Sequence, residues 1–455
     1  MGTVGLNFGS ATSGQGFDVA ATVTAILANE QAIESPWQSQ LTSLQAQDTV
    51  FTALGTDLST LTTALQSLTD FSGVLSQKLG SSSDTNVLSL TSASTAAVAG
   101  SHTLIVNTLA QTSSQYTDTL ANAADTLSGS LTIQVGSGTS HTITIDSTSN
   151  TLATLASAIN SAGIGVNASI ITDVNGSRLS LVSGTSGSAG QLTISSALFD
   201  AGTGIGFHTG QPGKDASLNV DGITLTSASN TVTTAIPGVT FQLLSTSATG
   251  TQVQVQITND TSAIATAVNS VVTAYNAVVK AINAQEGKDA SGKAMPLFGS
   301  STLALLQNQL SSALLGGSAS GSIKSVTQLG IGFLQDGTLS LNTDTLNNVL
   351  NSNFSDVTGF LQNSGSFGQT FASTLNNLGN QSTHGAVFLA QQQNSAQETA
   401  LNKSVADEDA RIAADKTRLT AELNAANQIL QSIPSQLNQI NEIYSAVTGY
   451  IAPRG

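Results

Sequence analysis

The chain has 455 residues, of which only 9% are charged, and its formal net charge is −15. This length predicts about two to four domains with a sizeable core, and the negative charge disfavours nucleic acid and anionic membrane surfaces as partners. The chain contains no cysteine, which excludes structural disulfides and thiol chemistry. Few charges among many Ser, Thr, Asn and Gln residues suit surfaces that pack against sister subunits, but they are also typical of acidic secreted proteins.

The N-terminal region is predicted to be helical after a Gly- and Ser-rich start. Residues 1–16 are expected to be mobile in the isolated protein. A first helix is predicted from Asp18, as N-cap, to Glu34, and Pro36 separates it from a longer helix over residues 37–79. Gly80 and the serines after it are expected to end the helical region. The first helix carries one apolar face: Val19, Val23, Ile26 and Leu27.

From Val87 to Ile257 the apolar residues alternate with polar ones, which is typical of half-buried antiparallel strands. Three pairs between such runs fit tight hairpin turns: Asn175-Gly176, Asp221-Gly222 and Asp336-Gly337. We do not interpret these pairs as calcium-binding loops, because such a loop would need more carboxylates at alternate positions. One short helix, over residues 152–159, is predicted among the strands.

Helical spacing returns after Asn259-Asp260, and the next helix carries a stripe with alternating steps of four and three: Ile264, Val268, Val271, Tyr275, Val278 and Ile282. Short helices are predicted over residues 302–314, 343–350, 357–361 and 367–378. A long last helix is predicted over residues 390–450, with a kink or break at Pro434. Its apolar residues follow a 3-4 spacing that favours packing against another helix: Leu419, Leu423, Ala426, Leu430, Ile433, Leu437, Ile440, Tyr444, Val447 and Ile451.

The residue patterns of an enzyme are missing from the sequence. The four histidines have no metal-ligand spacing, and no Gly-x-Ser-x-Gly elbow precedes a helix. Gly202, Gly204 and Gly206 lack the Lys-Ser/Thr pair of a phosphate loop. We therefore expect no enzymatic activity, no cofactor and no metal. The charge cluster over residues 403–422 either solvates a helix face or sets the register between subunits.

Several segments, in their order along the chain, resemble one protein family. They are residues 101–110 (SHTLIVNTLA), 219–223 (NVDGI), 229–232 (SNTV), 236–240 (IPGVT), 261–282, 329–331 (LGI) and 336–341 (DGTLSL). Residues 158–160 (AIN) with 166–170 (VNASI) are similar to a repeat of flagellin-like proteins. Over roughly residues 15–425 the chain resembles the flagellar hook-associated protein 2 family, the filament cap proteins. Residues 450–455 differ from the ending expected in that family.

The resemblance implies an α+β multidomain fold in which helical, coiled-coil legs bracket inserted antiparallel β domains. The implied divisions are residues 1–35 as N-terminal leg, 36–86 and 258–430 as helical body, 87–112 with 213–257 as inner β domain, 113–212 as outer β domain, and 431–455 as C-terminal leg. The legs would meet the filament or sister subunits through Val19, Val23, Ile26, Leu430, Leu437, Ile440, Tyr444 and Val447.

The resemblance also implies an extracellular homo-oligomer, commonly a pentamer, at the distal tip of the filament. Its partners would be flagellin, the hook-filament junction proteins, an export chaperone and the flagellar secretion apparatus. Export by that apparatus fits residues 1–17, which lack a basic and apolar leader. Two alternatives remain: a filament subunit or junction protein of the same axial class, and a secreted surface adhesin or hydrolase.

Overall fold

The chain divides into two compact units. In a computed structural model, residues 15–379 and 381–449 are described. The helical unit comprises residues 1–69 with 265–455, and the β unit comprises residues 70–264. The mixture of long helices and antiparallel sheets confirms the predicted α+β multidomain class.

The α-helices of the described residues are α1 (Val19–Gln31), α2 (Glu34–Thr69), α3 (Leu152–Ser161), α4 (Thr261–Asn283), α5 (Ser301–Leu314), α6 (Thr343–Ser352), α7 (Phe354–Gln362), α8 (Phe367–Leu378) and α9 (Ala386–Thr448). Three short 3-10 turns occur at Val74–Ser76, Ser188–Gly190 and Val326–Leu329.

The strands are β1 (Lys78–Ser82), β2 (Leu88–Ala93), β3 (Gly100–Thr108), β4 (Thr112–Thr117), β5 (Leu127–Val135), β6 (His141–Thr144), β7 (Val166–Asp173), β8 (Gly176–Ser186), β9 (Leu192–Asp200), β10 (Thr203–Ile205), β11 (Phe207–Gln211), β12 (Ala216–Val220), β13 (Ile223–Ser227), β14 (Thr231–Val232), β15 (Val239–Leu243), β16 (Val253–Asn259), β17 (Ile331–Phe333) and β18 (Leu339–Leu341).

The helical unit is built around the apolar face of α2. Leucines at steps of three and four along this helix are fully buried, namely Leu54, Leu58, Leu61 and Leu65. Helix α4 presents its stripe to the same core: Val268, Val271 and Tyr275 line an apolar cavity with residues of α2 and α8. Every member of the α4 stripe, from Ile264 to Ile282, is buried.

Helix α4 is long and apolar enough to cross a membrane by composition alone. However, half of its most apolar window is buried inside the protein, as expected for a core helix.

Helix α2 differs from its predicted span at both ends. It starts at Glu34, so that Pro36 lies in its first turn, where a missing backbone donor costs no helical hydrogen bond. It stops at Thr69 because the Asp70 carboxylate accepts hydrogen bonds from the backbone N–H and the hydroxyl of Ser72, which closes a turn in place of the helix. The leucine spacing continues to the buried Leu75, which explains the overlong prediction.

The segment predicted to end the helices with a loop is instead the edge strand β1. Gly80 pairs with Ile257 of β16 in an antiparallel ladder. A Cβ atom at Gly80 would come within 2.2 Å of Leu90 Cδ2, so the absence of a side chain lets the strand approach β2. The β region therefore starts at Lys78, before the predicted Val87.

The β unit has two apolar cores. The first lies between a five-stranded sheet of order β1-β16-β3-β12-β13 and a three-stranded sheet of order β14-β15-β2. The second is enclosed by two four-stranded sheets, β10-β9-β5-β6 and β11-β4-β8-β7, together with α3. Residues 87–110 and 216–257 supply the first core, and residues 120–205 supply the second.

Two of the three predicted hairpin pairs lie in the turns themselves. Asp221 and Gly222 connect β12 to β13 with φ angles of 49° and 89°, as a type I′ turn requires. Gly337 has a φ of 81° between β17 and β18. The third turn is shifted by one residue, because Gly176 already pairs with Asp173 as the first residue of β8.

We predict that Val278→Asp unfolds the helical unit. Val278 is fully buried in α4, and an unpaired carboxylate there costs about 3 kcal/mol or more. Thermal unfolding followed by circular dichroism should show a large drop in Tm. Ala277→Asp, at the exposed neighbouring position, is the control and should change the Tm little. Equal effects of the two variants would contradict the buried position of this face.

Candidate assembly surface

Helices α1 and α2, near the N-terminus, pack along the long C-terminal helix α9 in the antiparallel direction. Asn394 Nδ2 donates to Asp48 Oδ1 of α2 at 2.8 Å, and Gln391 Nε2 donates to Thr52 Oγ1 at 3.0 Å. Near the opposite end, the backbone N–H of Phe17 donates to Asn427 Oδ1 at 2.9 Å. The chain over residues 17–52 therefore runs antiparallel to residues 391–427 of α9.

Helix α1 packs on α9 of the same chain. Val23 and Leu27 are buried with Ile412 in a small apolar cluster, and Val19 packs against it together with Leu419 and Leu423 of α9. Ile26 is half-buried. Val19 and Val23, which the resemblance implies would meet the filament or sister subunits, therefore pack against α9 within one chain. Residues 1–16 are predicted to be mobile. Of these, residues 1–14 lie outside the described residues.

The last part of α9 is different, because its apolar side chains are exposed. Leu437 is 42% exposed, Ile440 60%, Tyr444 58% and Val447 80%. These four residues, which we call the C-terminal stripe, are spaced by three and four and so lie on one helix face. Leu430, two helical turns before Leu437, is half-buried. Within residues 15–379 and 381–449, the C-terminal stripe has no covering element.

The sequence predicts a kink or a break at Pro434, and the break is absent, since α9 continues through this residue to Thr448. The proline removes one backbone donor from the helix. Two nearby hydroxyls bond to carbonyl oxygens of the same turn: Ser432 Oγ donates to Ile429 O at 2.8 Å, and Ser435 Oγ donates to Ser432 O at 2.7 Å. These bonds add two hydroxyl donors to the helix backbone near the proline.

The charge cluster of α9 forms a chain of ion pairs along the helix. Lys403 pairs with Asp407 at 2.6 Å, and Arg418 pairs with Asp415 at 2.7 Å and with Glu422 at 3.4 Å. Arg411 pairs with Glu408 and lies 3.9 Å from Asp415. Because most of these groups are exposed, each pair contributes little to stability.

One group near this cluster was missed by the sequence reasoning. Glu34, at the start of α2, is only 7% exposed, and its Oε1 has no hydrogen-bond partner. Burial, together with the charges of Asp409 and Glu408 and a hydrogen bond to Asp409, raises the pKa of the Glu34 carboxyl above its ordinary value. A glutamate beside a helix-helix turn in a charge-poor chain is the only sequence signal that could have indicated this position.

A cleft of about 410 Å³ lies between α2, α9 and the loop before α5. Its walls carry amides and hydroxyls, including Gln40, Gln47 and Gln397, around apolar Leu44 and Phe51. None of its lining residues is charged. Such a lining offers hydrogen bonds but no acidic or basic side chain for proton transfer.

Two histidines of the β unit pair with aspartates. His102 Nδ1 lies 2.7 Å from Asp221 Oδ2, and His208 Nε2 lies 2.7 Å from Asp118 Oδ1. Each aspartate also accepts a backbone N–H, from Thr103 and Gly206 respectively, so the pairs hold neighbouring strands and turns together. In the part of the chain that the structure describes, no three His, Cys, Asp or Glu residues are placed to hold a metal ion.

We predict that Asp221→Asn lowers the stability of the β unit at neutral pH but not in acid. The hydrogen bond from His102, followed by that from the Thr103 N–H, lowers the pKa of Asp221 from its ordinary 3.8. A lowered pKa stabilises the folded state above pH 3.8, and this contribution is lost as the pH falls below that value. The loss should stay below about 1 kcal/mol, because the side chains are partly exposed.

The measurement for this prediction is urea unfolding at several pH values. Asparagine tolerates the left-handed backbone at position 221, so the variant removes the charge without straining the turn. Asp200→Asn removes the same charge from β9 and is the control. A stability difference from wild type that persists unchanged into acid would contradict the prediction.

Family models match three parts of the chain. Residues 213–435 match flagellar hook-associated protein 2 C-terminus, residues 15–113 match flagellar hook-associated protein 2 N-terminus, and residues 130–185 match the flagellin hook IN motif. The first two models cover parts of both units, including α1, α2 and most of α9.

Individual relatives agree with these matches. The B-type flagellar hook-associated protein 2 of Pseudomonas aeruginosa is 31% identical over 235 residues, which are 50% of this chain and 49% of that protein. This chain thus spans about half the length of that curated relative. The crystal structure of the flagellar cap protein FliD D1-D2-D3 domains from Escherichia coli has 29% identity and a TM-score of 0.60, and it covers 76% of this chain and 99% of its own. FliD (HAP2) from Pseudomonas aeruginosa PAO1 has 30% identity and a TM-score of 0.37, over 46% of this chain and 96% of its own.

Proposed function

Because the chain belongs to the flagellar hook-associated protein 2 family, we propose that it caps the distal end of a flagellar filament. It forms a homo-oligomeric ring there, taken as a pentamer by family resemblance, which retains exported flagellin and promotes its polymerisation. The protein acts outside the cell and works by shape, without an enzymatic reaction and without a cofactor. Its further partners are the hook-filament junction proteins, an export chaperone and the flagellar secretion apparatus.

The observation that carries this proposal is the unequal covering of α9. Its first part is covered by α1 and α2 of the same chain, whereas the C-terminal stripe is exposed. Exposed apolar side chains on one helix face favour association with another apolar surface. In the cap, the C-terminal stripe docks on the filament end or on a sister subunit, and residues 431–455 act as the C-terminal leg.

The helical unit and the β unit have different proposed roles in the cap. The helical unit, with residues 1–35 and 431–455 as legs, anchors the ring, while the β unit forms its plate. Residues 87–112 with 213–257 form the inner β domain of the plate, and residues 113–212 form the outer one. The separate apolar cores of the β unit support this division.

A secondary role in surface adhesion is favoured by the turns and edges of the β unit. Val174, between β7 and β8, is fully exposed, and Ile223 at the start of edge strand β13 is 65% exposed. Apolar side chains at such positions suit contact with another surface. Retention of wild-type protein on an apolar-coated surface, lost in a Val174→Ser/Ile223→Ser variant, would support this role.

We predict that deletion of the gene abolishes filament growth while hooks remain. Flagellin should then appear in the medium as monomer, because no ring retains it, and the cells should be non-motile. Immunoblotting of culture supernatants and electron microscopy of the cells measure both effects. Normal filaments in this strain would contradict the cap function and favour the adhesin. Long filaments of the purified protein, in place of small closed rings, would favour a filament subunit or junction protein.

We predict that Ile440→Asp prevents complementation of the deletion strain. A charge in the C-terminal stripe opposes its docking on an apolar surface. Asn441→Asp places the same charge at the adjacent, exposed position of α9, on another face of the helix, and is the matched control. Motility and ring formation should be lost in the first variant and kept in the second. Equal motility of the two strains would contradict docking through the C-terminal stripe.

A further inference from the structure

Strand β13 forms one edge of the five-stranded sheet, where β12 is its neighbour on one side only. On β12, the backbone N–H of Ser217 donates to Thr108 Oγ1 of β3 at 3.1 Å, so it points away from β13. Backbone groups in an antiparallel ladder alternate between the two sides of a strand, and the register partner of Ser217 on β13 is Thr226. The N–H and C=O groups of Thr226, and of Thr224 two residues earlier, therefore point to the open side of β13.

The open side of β13 is accessible and unprotected. Both Thr224 and Thr226 are exposed, and within residues 15–379 and 381–449 no other element forms a hydrogen bond with their backbone groups. The strand has the sequence ITLTS, without a charge or a proline. Charged residues, prolines and bulges are the usual means by which proteins keep a sheet edge from pairing with another chain. The sequence of β13 supplies none of them.

Several other edge strands of the β unit are protected in these ways. On β7, the carboxamide of Asn160 occupies both backbone groups of one residue: Nδ2 donates to Ala168 O at 2.8 Å, and Oδ1 accepts from Ala168 N–H at 2.7 Å. Strand β11 has a register shift between Thr209 and Gln211, and β1 carries Lys78. Strands β10 and β14 have only three and two residues. The unprotected edge of β13 therefore differs from the edges around it.

We propose that β13 is a docking edge for a second copy of this chain, which adds its own β13 in the antiparallel direction, centred on Leu225. In this register, Thr224 of each copy lies opposite Thr226 of the other. Because the backbone groups of both residues point to the open side, each such pair exchanges two N–H···O=C hydrogen bonds. Opposed threonine side chains are also a favourable pair on a sheet face. The two five-stranded sheets then continue into one sheet.

The side chains of β13 agree with this register. Leu225 packs against the first apolar core, and Ile223, on the same face of the strand, is 65% exposed. In the pair, Leu225 meets Leu225 of the second copy, and Ile223 lies diagonally beside it, so its exposure falls. A shift by one residue would set Leu225 against a threonine and mix the two faces. A shift by two residues would shorten the overlap of the strands.

The contact is small and has two-fold symmetry. Each copy contributes five residues of β13, which is well below the standard interface of about 1,600 Å². Pairing through β13 is therefore weak and depends on the protein concentration. A two-fold contact joins two copies and then stops, whereas a ring needs head-to-tail contacts. The pairing thus joins two free subunits, or one subunit from each of two rings, and does not depend on the cap function.

Disulfide trapping in the full-length protein tests the register, because the chain has no cysteine of its own. A mixture of Thr224→Cys and Thr226→Cys chains should form a cross-linked dimer under a mild oxidant, since opposite residues have Cα atoms about 5.5 Å apart. Either variant alone places its two cysteines about 8 Å apart, which is too far for a disulfide. Val174→Cys, at a fully exposed turn position, is the control for random collision. Equal cross-linking in all samples, or none in the mixture, would overturn the proposal.

Two charge variants give a test without cysteine. In sedimentation at increasing concentration, the wild-type species should double in mass, whether free subunits or rings pair. Thr224→Lys/Thr226→Lys sets lysines opposite each other and should abolish the doubling. Thr224→Lys/Thr226→Glu sets each lysine opposite a glutamate and should keep it. Both variants change the same exposed positions, so their circular dichroism should match wild type. Wild-type protein that never doubles in mass, or two variants that behave alike, would contradict pairing through β13.

Discussion

The antiparallel packing of α2 along the C-terminal helices is the contact on which the rest of the structure depends. The buried leucines of α2, from Leu54 to Leu65, need a covering partner, and that partner comes from α8 and α9 at the other end of the sequence. Residues 70–264 fold as a separate unit between them. Closing so long a loop costs only a little more entropy than closing a short one, so the helical unit tolerates a large β insertion.

Because of this packing, other helices cover the first part of α9 but not its last part. Its first part finds partners in α2 and α1, because those helices run back along it as far as Phe17. The C-terminal stripe lies beyond that point and keeps its apolar side chains exposed. A covered part and an exposed apolar stripe therefore share one continuous helix. This arrangement is compatible with the proposed assembly through the C-terminal leg.

The few carboxylates of this chain behave according to their surroundings. In loops of both units, Asp146, Asp289 and Asp336 accept hydrogen bonds from nearby N–H and hydroxyl groups, which lowers the pKa of each. These aspartates stabilise turns at neutral pH. At the turn between α1 and α2, Glu34 instead meets other carboxylates in a buried place, and its pKa is raised. The same chemical group thus has a lowered pKa at the turns and a raised pKa at Glu34.

The sequence by itself determined the features that depend on near neighbours. Its 3-4 spacing predicted the long helices, its alternation predicted the strands, and Asp221-Gly222 predicted a tight hairpin turn, since each pattern reflects local backbone geometry. The ordered motifs also indicated the family. Only the tertiary structure decided that Gly80 joins β1, since its partner Ile257 is far away in the sequence. Likewise, the covering of Val23 by α9 and the burial of Glu34 against Asp409 depend on distant segments meeting, and spacing within one segment carries no information about which distant segment packs against it.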